Sequence, residues 1–254
     1  VSTPTALPGT RAHAFRLLGP FTFIREGALP RPMWPKPRAL LALLLVAEGP
    51  VTLERIGAEL WRGRPPDSAV ANIRGYIGLL RREVGAAAVR TGLGAYELAL
   101  PQARVDAEEF RGLVDRAEVT ACPRQRRELL EGALGLWRGP ALSGIEHGPL
   151  LESWVERMNG HRRRALLQVA ELSLEAGQYA RAQDVLRQHL VGSPTDEAAY
   201  QLLMRALHGA GDSSAALAVY QQANRRLVDH GLFPGPQLRG MQQAILSHLP
   251  LPTC

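Results

Sequence analysis

The most restrictive feature of this chain is a repeat in its second half. Ala176-Gly177 recurs as Ala210-Gly211, Ala182 as Ala216, and Leu186 as Tyr220. Every offset is 34 residues, a period at which paired helices stack on one another. Small Ala residues suit places where two helices cross closely, and the glycines fall where paired helices turn. The repeat ends a long helical run. From Val105-Asp106 onward the periodicity predicts helices over 106–119, 124–137 and 150–176, with Arg138-Gly139-Pro140 closing the second.

The first hundred residues have a different texture. AFRLLG (14–19), FTFIRE (21–26) and RPMW (31–34) read as short strands separated by Gly and Pro. Pro35-Lys36-Pro37 then opens a helix, RALLALLLVA over 38–47, apolar almost all round and therefore buried. After Glu48-Gly49-Pro50, Thr52 is placed to cap a helix over 53–61 with Leu53, Ile56, Leu60 and Trp61 as its buried stripe. The loop RGRPPD (62–67) leads to a helix over 68–84, capped by Asp67 or Ser68, and a hairpin follows around Gly92-Leu93-Gly94. Strands, three helices and a hairpin is the order of a winged helix. The expected fold is therefore mostly α. An N-terminal winged helix-turn-helix (13–104) precedes an all-α, tetratricopeptide-like repeat domain (105–250), of the kind that builds curved protein-binding surfaces.

The helix over 68–84 is where chemistry concentrates. Val70, Ile73, Ile77, Leu80 and Val84 share one face by their spacing; Ala71, Arg74, Gly75, Gly78, Arg81 and Arg82 share the other. An apolar face docked on a core with guanidinium groups outward suits a phosphate backbone. Charge supports that reading. Residues 1–105 hold 14 Lys+Arg against 7 Asp+Glu, and residues 106–254 hold 16 against 17. The net charge of +6 thus belongs to the front of the chain. Only Lys36 is a lysine, so part of this bias is a compositional preference for Arg.

Other classes find little support. No apolar run approaches the ~20 residues of a membrane span, and the first residues lack a signal-peptide centre; the expectation is a cytoplasmic protein without a membrane partner. Cys122 and Cys254 read as free thiols, since they form no C-x-x-C pair. Lys36 sits between two prolines and not after a Gly-rich run, so the sequence holds no Walker A loop. Gly92-Leu93-Gly94 is followed by Glu97 where a dinucleotide fingerprint needs Gly. Ser143 in ALSGI lacks the first Gly of a nucleophile elbow. The seven His are scattered. No catalytic residue, metal or cofactor is expected, and the protein is not read as an enzyme.

LLGP (17–20), PKPRALLALLL (35–45), Trp61, Pro65-Pro66, LRRE (80–83), LWRGPAL (136–142) and FPGPQLR (233–239) together resemble the Streptomyces antibiotic regulatory proteins, over about 13–248. The resemblance implies an OmpR-like winged-helix DNA-binding domain followed by a bacterial transcriptional activation domain. It also implies a pathway-specific activator of secondary-metabolite biosynthesis that binds direct repeats in double-stranded promoter DNA as a homodimer. Such an activator recruits RNA polymerase with its sigma factor. The chain departs from the family at Leu79 and at Gly92, where basic residues are usual.

On this reading Arg74, Arg81 and Arg82 contact DNA from the helix, with Ser68, Asn72 and Tyr76 flanking. Asn72 suits adenine or a hydrogen bond along the helix; Tyr76 suits the groove or packing. Arg90 and Thr91 are the hairpin candidates. Lys36 and Arg38, and Arg62 and Arg64 in the helix-turn-helix loop, suit phosphate or polymerase contact, and Asp67 in that loop is a further polymerase-contact candidate. Arg162-Arg163-Arg164 reads as a solvated face first and a partner contact second. The alternative is a protein-interaction scaffold with a degenerate, weakly DNA-binding winged helix, which Leu79 and Gly92 favour.

Overall fold

A computed structural model of the chain describes residues 13–25, 33–101 and 103–249. The protein divides into two compact units, one of residues 1–112 and 135–160, the other of residues 113–134 and 161–254.

The first unit opens with an antiparallel hairpin, β1 (His13–Arg16) and β2 (Thr22–Arg25), in which Phe15 pairs with Phe23 and their rings stack at 5.0 Å. Three helices follow. α1 (Pro35–Val46) begins on its prolines, and Ala39 to Leu44 are all buried. A two-residue strand, β3 (Val51–Thr52), leads directly into α2 (Leu53–Leu60), whose first turn is capped by Thr52 Oγ1 accepting the Arg55 N–H at 3.3 Å. α3 (Ala69–Val84) packs on α1 and α2. Next come β4 (Val89–Gly92) and β5 (Ala95–Leu98), joined through the exposed Leu93 and Gly94 at φ +70°. The three short strands form one sheet in the order β3-β5-β4. β6 (Arg104–Val105) returns to pair in parallel with β1.

Two motifs far apart in sequence meet in this unit. The backbone of Leu17–Gly19 accepts the N–H groups of Arg138 (2.8 Å), Leu142 (2.8 Å) and Ser143 (3.1 Å). Asp106 receives the Leu17 and Leu18 N–H groups at 2.6 and 3.2 Å and the Arg138 guanidinium at 2.7 Å. LLGP and LWRGPAL are thus one hydrogen-bonded structure. A Cβ at Gly19 would stand 3.0 Å from Arg138 Cβ, and Gly19 takes φ +148°, so glycine suits this position.

α4 (Asp106–Glu118) carries Phe110, edge-on to Trp137 at 5.7 Å. α5 (Pro123–Gly135) stops two residues before Trp137, which the periodicity had included in that helix. α6 (Pro149–Glu175) is the long helix, beginning in the first unit and ending in the second.

The second unit bears out the 34-residue period in its element boundaries. α7 (Tyr179–Gly192) and α9 (Ser213–Asp229) start 34 residues apart, as α6 and α8 (Glu197–Gly209) end 34 apart. Gly177 (φ +68°) and Gly211 (φ +88°) make the equivalent left-handed turns. Ala182 and Ala216 are both fully buried. α10 (Pro236–Leu246) closes the array; the Gly235 N–H before it donates to Glu197 at 2.7 Å.

Asp196 anchors this unit. Its buried carboxylate caps α8, takes both arms of Arg163 at 2.6 Å, and bonds His189 Nε2 at 2.8 Å. Burial works against the charge, but the His189 and Arg163 hydrogen bonds outweigh it and hold the carboxyl well below its ordinary range. Arg163 is correspondingly raised, through its hydrogen bond to Asp196. Within the triad Arg162–Arg164 read as a solvated face, Arg163 is exposed yet commits its guanidinium to Asp196.

Other expectations are also corrected. Residues 31–32 of the third predicted strand lie outside the described residues, and Met33 and Trp34 are not in a strand. Ser68 stands at the start of α3 but makes no side-chain cap; its hydroxyl accepts from Asn72 Nδ2 at 3.1 Å. Val70 is 43% exposed, and Ala69 takes its place in the buried stripe with Ile73, Ile77, Leu80 and Val84. Spacing of four from Ile73 to Ala69 keeps that stripe in line. Cys122 is an exposed free thiol, and Cys254 lies outside the described residues.

Candidate nucleic-acid interface

The first unit sorts the predicted basic residues by what they already bind. Arg74, Arg82 and Arg90 are exposed and have no hydrogen bond or ion pair among the described residues. Their guanidinium groups are available to an outside acceptor. Around Arg74 and Arg82 the exposed face of α3 is nearly bare: Ala71, Gly75 and Gly78 line it, and a Cβ at either glycine would meet nothing within 4 Å. Asn72 is half-buried and tied to Ser68, which favours its hydrogen bond along the helix; Tyr76 and Leu79 are also half-buried.

Arg81 differs from its neighbour Arg82. It is half-buried and directs three N–H donations toward β4: Nε and Nη2 to the Val89 carbonyl at 3.2 and 2.9 Å, and Nη2 to Thr91 Oγ1 at 2.7 Å. On that strand Arg90 lies opposite Glu97 and Thr91 opposite Tyr96.

Lys36 and Arg38 are engaged internally. Lys36 Nζ donates to the Leu60 carbonyl and to Glu146 at 3.3 Å, and lies 5.9 Å from the Trp61 ring centroid. Arg38 donates to the Phe21 carbonyl and sits 5.7 Å from the Phe21 ring centroid. In the α2–α3 turn Arg62, Arg64 and Asp67 are all exposed. Arg62 takes φ +49° and Gly63 φ +78°, reversing the chain within two residues.

Sequence reasoning missed Glu59. This carboxylate, 4% exposed, accepts the N–H groups of Gly148 (2.9 Å), Leu150 (2.8 Å) and Leu151 (3.1 Å), the first turn of α6. A helix N-terminus carries unpaired donors and a positive dipole end, both of which a carboxylate satisfies. The available signal was a charge three residues after Ile56 and beside Leu60, on the apolar face of α2. No group of three or more His, Cys, Asp or Glu suited to a metal occurs among the described residues, and no helix among them is long and apolar enough to cross a membrane.

Known proteins resemble this chain. The family described as Bacterial transcriptional activator domain matches residues 105–246. The regulatory protein AfsR of Streptomyces griseus is 34% identical over 96% of this chain, which spans 26% of that protein's length. The regulatory protein DnrI of Streptomyces peucetius is 30% identical, over 91% of this chain and 90% of its own. A structure of Mycobacterium tuberculosis EmbR, in complex with a low-affinity phosphopeptide, superposes with a TM-score of 0.82 at 27% identity, covering 95% of this chain and 67% of that one. The chain belongs to the family of Streptomyces antibiotic regulatory proteins that carry a bacterial transcriptional activation domain.

Proposed function

We propose that this protein is a DNA-binding transcriptional activator of a secondary-metabolite pathway. In this reading α1 to β5 form an OmpR-like winged helix within residues 13–104. α3 is the recognition helix and the β4–β5 hairpin is the wing. Residues 105–250 form the activation domain, with tetratricopeptide-like repeats that engage RNA polymerase and its sigma factor. The protein acts in the cytoplasm as a homodimer on promoter direct repeats, and Arg62, Arg64 and Asp67 in the α2–α3 turn are the polymerase-facing candidates. One observation carries the reading: Arg74, Arg82 and Arg90 are exposed on α3 and the adjoining hairpin and have no partner among the described residues.

The test is a fluorescence-anisotropy titration of the whole chain on DNA from the intergenic regions flanking its gene. Affinity should fall steeply with salt, by a factor set by the phosphates neutralised. Joint replacement of Arg74 and Arg82 by Ala should weaken binding to specific and random DNA alike. Absence of binding by the native chain, or no effect of the replacement, defeats the proposal.

The scaffold reading has one observation in its favour. Gly75, Gly78 and Leu79 offer no polar side chain to a base edge, and Gly92 none to a phosphate. It predicts that the native chain shows no preference for any promoter fragment over random DNA.

A further inference from the structure

Two adjacent arginines on α3 have opposite surroundings. Arg82 is exposed with no partner among the described residues, whereas Arg81 is half-buried and turned to the hairpin. Three of the five N–H donors of the Arg81 guanidinium are committed: Nε–H and one Nη2–H to the Val89 carbonyl, the other Nη2–H to the Thr91 hydroxyl. β4, which carries both acceptors, is an edge strand among the described residues, paired with β5. A planar fork that grips two points along one strand fixes both the strand's distance from α3 and its rotation.

We propose that Arg81 is a positioning residue for DNA recognition: it clamps β4 to α3 and so sets where Arg90 stands relative to Arg74 and Arg82. The inference rests on the DNA-binding reading above. It reassigns Arg81 from phosphate contact to control of the hairpin, and makes Thr91 the acceptor of that clamp.

Arg81→Lys distinguishes the two roles, because it keeps the charge but replaces the fork with a single ammonium point. The experiment measures DNA affinity of the whole chain against salt for Arg81→Lys, Thr91→Val, their double variant and Arg82→Lys. It also measures backbone amide exchange of each protein without DNA. The expected result for Arg81→Lys is an affinity about tenfold lower at every salt concentration, as suits the loss of one or two hydrogen bonds. The slope of log affinity against log salt should be unchanged, and exchange in the β4–β5 hairpin faster. Thr91→Val should act in the same direction, and the double variant should lose less than the two single losses combined. Arg82→Lys should stay within about twofold of native, since an exposed contact with phosphate needs only a charge. Native-like affinity and native-like hairpin exchange in Arg81→Lys would overturn the proposal. A native chain that binds no DNA overturns the activator reading and the positioning role with it. Hairpin exchange in the free protein still reports, by itself, whether the clamp exists.

Discussion

The two units are held together by different means. In the second, the same small contacts recur: Ala182 and Ala216 at the helix crossings, Gly177 and Gly211 at the turns, and neighbours in sequence as neighbours in space. In the first, single side chains reach across long stretches of chain. Glu59 collects N–H groups 89 to 92 residues away, and Asp106 collects those of Leu17 and Leu18, 89 and 88 away. A repeat distributes its stability over many equivalent contacts, with the buried Asp196 as an exception in this one, whereas the first unit concentrates it in the buried Glu59 and the half-buried Asp106. Substitutions should therefore be severe and uneven in the first unit and, Asp196 apart, moderate and matched in the second.

The strongest challenge to this contrast is Glu59→Ala. It leaves the Gly148 N–H and two in the first turn of α6 without their acceptor, and at ~1–3 kcal/mol for each buried orphan the expected loss is about 3 kcal/mol or more. Urea denaturation of the whole chain measures it; a loss near 1 kcal/mol would mean that stability is spread as evenly there as in the repeats. Gly148→Ala is the steric counterpart, since a Cβ would fall 2.5 Å from the Glu59 carbonyl oxygen and 2.7 Å from its Cα.

Asp196→Asn ranks next, because it removes the charge that Arg163 and His189 share; we expect about 2–3 kcal/mol, the scale of hydrogen bonds to charged groups. The pH dependence follows from the depressed folded value of Asp196. Its stabilisation is fully present above the unfolded carboxyl's ordinary value of about 4 and is lost as pH falls below that toward the folded one. Acid denaturation curves should show a component below about pH 4 that Asp196→Asn lacks.

Ala182→Leu and Ala216→Leu sharpen the comparison from the other side. Both positions are fully buried, and overpacking should cost about 1–3 kcal/mol at each. The two losses should agree within about 0.5 kcal/mol, the scatter expected of independent sites; clearly unequal values would deny the repeat its energetic equivalence. The smallest effect is a gain. Gly75→Ala and Gly78→Ala point into open space on α3 and should each stabilise by about 0.5–1 kcal/mol in thermal melts.

Much of this architecture was legible before any coordinates. Helix periodicity located α1 to α6 closely, and the 34-residue offset fell where α7 and α9 begin, while α8 and α10 were given no bounds. What escaped has a common physical cause. Glu59 and Asp106 bind backbone N–H groups, and a backbone amide carries no residue type that a sequence could advertise. Arg81 and Arg82 are the same amino acid one position apart; only the 100° rotation of the helix between them sends one to Thr91 and the other to solvent. Arg81 does lie four residues after Ile77 and three before Val84, on the border of the buried stripe. That spacing is the signal that distinguishes it.

The Glu59 contact also has a consequence in time. A chain leaves the ribosome from its N-terminus, and domains tend to close as they emerge. α1, α2 and α3 are available early, yet Glu59 has no acceptor role to fill until Gly148, Leu150 and Leu151 have followed. The nascent first unit must wait, with a carboxylate destined for burial still in water, until the 92 residues from Glu59 to Leu151 have been made. Synthesis order thus makes the arrival of α6 the event that completes the unit bearing the arginine helix.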